Sequence, residues 1–238
     1  MLVGSVLNYV LFGIVVLLLA WLLVPDQELF MGFVVIVAAP PGVAVIPFSG
    51  ILKGDLEYSI LGVFGAFLAS IFLAPAIVGY FPGGKSIDSL GLFILMTELI
   101  IIPMLLSRLL LVEPFFKYVK IIRGKLVDWG FALIIFTAVG MNRQVFFSNP
   151  QILLVTAIIL LSGTFLIGSI YEWLMPRFGI SRERVRTQVL LLTIKSSGFS
   201  VVTAMTLFGQ RAAIPSAVLA VIVLLYLLFL SIRQELSK

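Results

Sequence analysis

The sequence predicts an all-α polytopic membrane protein of eight transmembrane helices, and three observations carry that reading. Hydrophobic residues make up 61% of the 238 and charged residues 11%, with a mean hydropathy of +1.22; soluble domains run near half apolar and a quarter charged. The apolar residues fall into eight stretches of about 20, the length that crosses roughly 30 Å of hydrocarbon. Charged and turn-forming residues collect between those stretches. The chain has neither Cys nor His, which removes thiol nucleophiles, disulfides, imidazole bases and Cys/His zinc sites. It also lacks a paired intramembrane Asp and a Gly-x-Ser-x-Gly elbow, the marks of familiar hydrolytic chemistry. The expectation is no enzyme, no cofactor, no metal and no nucleic-acid partner, because a net charge of +5 distributed over short loops speaks of topology.

The predicted spans run approximately 3–24, 28–52, 57–80, 90–111, 127–147, 150–173, 188–208 and 212–232. The first has no basic n-region and an apolar run too long for a secretory signal, so it reads as a retained helix. The second, GFVVIVAAPPGVAVIPFSGILKGD, carries Pro40, Pro41, Pro47, Gly42, Gly50 and Gly54, and prolines remove backbone donors at mid-span, so this helix must break. The third is long and uninterrupted. Helices four and five carry Glu98 and Pro103, then Asn142 and Arg143. The intervening stretch, about 112–126, with Phe115, Phe116 and Tyr118 among lysines, is expected to be a loop along the inner interface. The sixth is a plain span. The seventh, LLTIKSSGFSVVTAMTLFG, is interrupted by Lys195, Ser196, Ser197 and Gly198, a second predicted break. The eighth is plain. Trp21, Trp129 and Trp173 lie near span ends as interfacial anchors.

Twelve basic residues fall in the even connections and after the last span: Lys53; Arg108, Lys117, Lys120, Arg123 and Lys125; Arg177, Arg182, Arg184 and Arg186; Arg233 and Lys238. The odd connections hold Lys85, Arg143 and Arg211. This asymmetry predicts cytoplasmic termini, in a prokaryotic inner membrane or a plasma membrane.

Backbone freed at membrane depth survives only where it is buried in protein or lines a cavity, and paired interrupted helices point to a transporter binding site. The two interruptions are matched: Gly42 to Gly54 spans 12 residues, Gly198 to Gly209 spans 11, and each is followed by a long helix, at an offset near 155. Helices one to three thus correspond to six to eight, while four and five have no partner. A five-helix repeat inverts on duplication because five is odd, so the expectation is an inverted-repeat transporter fold lacking an N-terminal helix pair.

These segments resemble the bile acid:sodium symporter family. AAPPGVAVIPFSGILKGD is similar to that family's first crossover and SSGFSVVTAMTLFGQRAAIPSAVL to its second, with supporting similarity at Pro103, Asn142-Arg143 and RERVRTQ. The resemblance covers the whole chain and implies a core domain within 1–80 and 150–238 packed against a partial panel within 89–149, in one transmembrane unit spanning 1–238. It implies alternating-access transport of a small organic anion of bile-acid or carboxylate type. By this comparison the chain begins at the family's third helix, which makes it either a fragment or a protein that completes its panel by oligomerising. A channel-like, non-transporting or inactive protein is the alternative. Aligned on the glycines, Val45 and Ile46 stand at the family's Ser-Asn sodium ligands, Leu191 at its Glu and Lys195 at its Gln. Conventional sodium coupling is therefore not expected.

Lys195 lies about eight residues into span seven, and a bare ammonium at that depth costs on the order of 2.5–3.5 kcal/mol even on the insertion scale. One reading makes it a stand-in for the bound sodium, as a permanent charge or as a group that binds and releases a proton; the other is a lysine snorkelling to the surface. Glu98, at comparable depth in span four, is a candidate partner across the moving interface, or faces water or a local serine. Pro41, Gly42, Ser49, Thr193, Lys195, Ser196, Ser197 and Gly198 complete the candidate substrate and ion site with Glu98, since half-helix N-termini suit an anion. For each hydroxyl, including Ser200, the alternative is a bond to its own i−4 carbonyl. Asn8, Thr97, Thr137 and Asn142 read as helix-to-helix glue.

Overall fold

The structure is a computed structural model that describes residues 2–81, 89–109, 112–113, 115–141, 143 and 150–236; Lys85, Asn142 and Lys238 lie outside them. Helix α1 spans Val3–Leu23 and contains a π-helical turn at Val6–Leu11 that buries Leu7, Asn8 and Tyr9. Asp26 caps α2 (Gln27–Ala38) by accepting the Leu29 N–H at 3.0 Å. That helix stops where Ala39 turns extended ahead of Pro40 and Pro41, as the residue before a proline is pushed out of the helical region. The second span thus resumes only as the short α3 (Val45–Ile51). Asp55 caps α4 (Leu56–Tyr80) through the Tyr58 N–H at 2.9 Å.

Helices α5 (Ser89–Leu109) and α6 (Phe115–Met141) follow. The stretch expected as an interfacial loop is mostly the start of α6. Lys117 and Lys120 are three apart, the spacing of one helical face, and the apolar residues between them need no turn; their charge masked the periodicity. Helix α7 (Pro150–Phe178) carries its own π-turn at Ser162–Leu166 and ends at Gly179, whose φ of +78° is a glycine conformation. Ser181 opens α8 (Arg182–Thr193), six residues ahead of the predicted start, because its hydroxyl accepts the Arg184 N–H. After the second break come α9 (Ser197–Phe208) and α10 (Arg211–Leu236).

Helices α1, α4, α7 and α10 are each long and apolar enough to cross a membrane, and α2 and α9 are shorter apolar helices. Among the described residues the only β-bridge is the isolated antiparallel one between Pro41 and Lys195. Both breaks fall where the sequence places them. The order of elements also recurs: the π-turns start at Val6 and Ser162, and the next helices at Gln27 and Arg182, then Leu56 and Arg211, an offset of 155 or 156 each time.

The main buried cluster draws on α1, α2, α3, α4, α7, α8 and α10. Glycines bring these helices close where no lipid-driven hydrophobic force exists to do so. A Cβ on Gly62 would stand 2.6 Å from Leu191 Cδ1, and one on Gly32 would collide with the Ala212 carbonyl oxygen. Replacing Gly32 by Ala must therefore push α2 off the start of α10. A loss of about 1–3 kcal/mol is expected from such overpacking, read as a lowered thermal midpoint in detergent, while Gly79→Ala, with open space around it, leaves the midpoint unchanged.

Candidate functional site at the crossed breaks

The two breaks meet. Gly42 N–H donates to the Ile194 carbonyl and Ser196 N–H to the Pro40 carbonyl, each at 2.9 Å, so Pro40–Gly42 and Ile194–Ser196 run antiparallel as one rung of sheet. Gly42 is packed closely: a Cβ there would lie 3.1 Å from Ile194 Cγ2 and 3.2 Å from the Lys195 carbonyl oxygen, so the partner strand would have to give by a few tenths of an ångström.

Each break strands a carbonyl inside the protein. In a continuous helix Val37 C=O would receive the N–H of residue 41, but that residue is proline and has none. Leu191 C=O would receive the N–H of residue 195, which has left the helix. Buried carbonyls left unpaired are costly, and here side chains replace the missing donors. The Lys195 ammonium donates to the Val37 and Ala39 carbonyls at 2.8 Å and to Asn8 Oδ1 at 2.7 Å. Asn8 Nδ2 in turn donates to the Leu191 carbonyl at 2.8 Å. The Tyr9 ring lies 4.5 Å and the Phe12 ring 5.4 Å from the same nitrogen, adding cation–π attraction; Tyr9 is fixed by its own hydroxyl donating to the Ala66 carbonyl at 3.0 Å.

Lys195 is 1% exposed, so it does not snorkel. All three N–H bonds of the ammonium are used on neutral oxygens. Among the described residues no carboxylate pairs with it: Glu98 is exposed on α5, which packs against α4, and the structure does not bring Glu98 to Lys195. The geometry is that of a small cation held by oxygen ligands at the C-terminal end of a half-helix, where the helix dipole is negative.

The other sequence-derived candidates divide sharply. Pro41, Gly42, Lys195 and Ser196 meet at the bridge. Thr193 and Ser200 donate their hydroxyls to the i−4 carbonyls of Val189 and Ser196, both at 2.7 Å; the Thr193 hydroxyl also meets Tyr226 of α10. Ser197 opens α9 with Gly198 beside it; its hydroxyl is buried and has no partner among the described residues. Ser49 is equally buried and unpartnered, but sits in the last turn of α3, where its carbonyl accepts the Gly54 N–H. Sequence reasoning placed Asn8 among the glue residues and passed over Tyr9 and Phe12. An Asn-Tyr pair inside an apolar span was the available signal.

Beside the site lies an apolar groove of about 380 Å³, open to the surface and lined by Tyr9, Gly13, Leu17, Val37, Ile77 and Tyr80 among others. Tyr9 and Val37 thus belong both to the groove wall and to the shell around Lys195. The model of the SBF-like CPA transporter family (DUF4137) matches residues 1–232. The chain belongs to this family. It is accordingly a multi-pass membrane protein of a transporter family, related to the bile acid:sodium symporters that its crossover motifs resemble. No curated protein matches the chain.

Within the family's frame, Val45 and Ile46 bring no side-chain oxygen to the crossover and the Leu191 carbonyl is taken by Asn8. Substituting Lys195→Met removes the donors from two buried carbonyls, each worth about 1–3 kcal/mol when left unsatisfied. A fall in thermal midpoint larger than that of Thr193→Val is expected in the same detergent. Equal midpoints for Lys195→Met and the wild type would show that the shell does not hold the crossover.

Proposed function

We propose that this protein is a secondary active transporter that moves a small organic anion by alternating access about the crossed breaks, with the Lys195 ammonium in the place of a coupling cation. The observation that carries the proposal is the ammonium's shell of three oxygens at 2.7–2.8 Å, a cation site filled by a tethered cation. The recurrence of π-turn, split helix and long helix supports an inverted repeat of the kind that builds such carriers. The positive field of Lys195, the free α9 amides and the unpartnered Ser197 hydroxyl favour an anionic group. The adjoining open apolar groove favours an amphipathic carboxylate over a small hydrophilic one. Helices α1–α4 and α7–α10 act as the core and α5–α6 as the panel against which it moves. The charge asymmetry orients both termini to the cytoplasm.

Sodium is not the coupling ion in this reading. Proton coupling can use the same nitrogen: Nζ has no carboxylate partner among the described residues, so releasing its proton strands no buried negative charge.

The test is uptake of a labelled bile acid or aromatic carboxylate into proteoliposomes. Saturable uptake with counterflow is expected, unchanged when sodium is replaced by choline. Strict sodium dependence would overturn the tethered-cation reading, and non-saturable flux would replace the carrier by a channel. Lys195→Gly should lose most uptake and regain part of it, together with thermal stability, on addition of methylammonium or sodium, because a free cation can then enter the vacated shell.

A further inference from the structure

A second polar site lies where α7 ends and α8 begins, at the end of the molecule that also carries Lys53, Arg184 and Arg233. Most charges there are matched. Arg233 Nη2 donates to both oxygens of Glu172 at 2.6 Å, and Arg184 stands 3.6 Å from Asp55. Three guanidinium groups, those of Arg177, Arg182 and Arg186, form no ion pair with a described carboxylate, and all three line one cavity of about 480 Å³ together with Trp173, Pro176 and Val185. Its one acidic residue, Glu172, is the partner of Arg233.

The three are held differently. Arg177 lies 3.5 Å over the Trp173 ring and donates one N–H to the Trp173 carbonyl. Arg186 reaches across to the Leu52 carbonyl at 3.0 Å. Arg182 makes no hydrogen bond with a described residue. A guanidinium has five donors, so most of the donors on the three arginines lining the cavity are unspent, and a guanidinium fork suits a phosphate.

The surroundings select the source of that phosphate. Trp173 is 65% exposed and Phe178 71%, aromatic residues of the type that mark the membrane interface. From Trp173 the exposed residues Ile170, Leu166, Leu161, Ile158 and Leu154 run along α7 at spacings of three, four or five, which is one helical face. The twelve steps of helix from Leu161 to Trp173 cover about 18 Å, close to the depth of one leaflet. We propose that this cavity binds the phosphate of an anionic phospholipid, with one acyl chain along that face of α7.

Trp173 reports on the site in a protein carrying Trp21→Phe and Trp129→Phe. The protein is placed in phosphatidylcholine nanodiscs with graded amounts of phosphatidylglycerol whose chains are brominated to quench indole fluorescence, and then in discs where the brominated lipid is phosphatidylcholine. Half-maximal quenching is expected at a severalfold lower mole fraction for the phosphatidylglycerol. Arg182→Gln, a change at an exposed residue without partners among the described residues, is expected to reduce that preference about five-fold, the value of one basic residue near an anionic surface. Arg177→Gln added to it should erase the preference. Equal quenching by the two lipids overturns the proposal, as does a preference that Arg182→Gln leaves intact or that Lys117→Gln with Lys125→Gln lowers equally. Displacement of the phosphatidylglycerol by millimolar glycerol phosphate also overturns it, by making the site one for soluble phosphates.

Discussion

A carbonyl stranded inside a membrane protein must find a donor, and the crossed breaks are built around two such carbonyls. Val37 loses its donor to Pro41, and Leu191 loses its donor when the chain straightens at Lys195. The replacements come from far away in sequence: an ammonium from the seventh span for the first, an amide from the first span for the second. Asn8 joins the two solutions, since one end of its side chain accepts from Lys195 and the other donates to Leu191. The π-turn at Val6–Leu11, with its extra residue, is the local distortion that accompanies the inward placement of Asn8 and Tyr9, as π-bulges commonly do at functional sites.

The same arrangement settles the local electrostatics. Two half-helices end at the centre with their negative dipole ends, and two begin there with their positive ends. The Lys195 charge lies against the carbonyls that close α2, where a cation is favoured, and the Tyr9 and Phe12 rings supply the rest of its enclosure. A mobile cation at such a position would bind and leave in each cycle, and its gradient would drive transport. A cation fixed by four methylenes supplies the attraction without the gradient.

Much of this was legible in the sequence because prolines, glycines and a buried charge act locally. Pro40, Pro41 and Gly42 announce a break wherever they fall in a span, and Lys195 beside Ser196, Ser197 and Gly198 announces the other. The 155-residue offset was visible for the same reason. What was not legible depends on contacts between distant residues. Nothing near Asn8 says that its partner is 183 positions away, and nothing in Ser49 or Ser197 says that both stay unpaired while Thr193 and Ser200 bond to their own helices. Glu98 and Lys195 looked like a pair because depth was the only coordinate the sequence offered. Lateral position, which the sequence did not supply, separates them. The start of α6 was missed for a different reason: lysines at helical spacing were weighed as charge and not as pattern.

Helix α8 ties these observations into one body. At its start, Arg186 and Thr187 bond to the carbonyls of Leu52 and Asp55, and Gly54 is packed so closely that a Cβ there would lie 2.6 Å from the Thr187 hydroxyl. At its end, Leu191 and Lys195 are bonded to Asn8, Val37 and Ala39. Between them Gln188 donates to the Tyr58 hydroxyl at 3.2 Å and accepts from Tyr171 at 3.1 Å. Helices α1, α2, α4, α7 and α8 therefore cannot shift past one another by a turn without breaking several buried hydrogen bonds at once. Among the described residues α5 and α6 place nothing in the buried apolar clusters. The bonds around Lys195 therefore join the crossover, α1, α2 and α8 into a single body, with the tethered charge inside it.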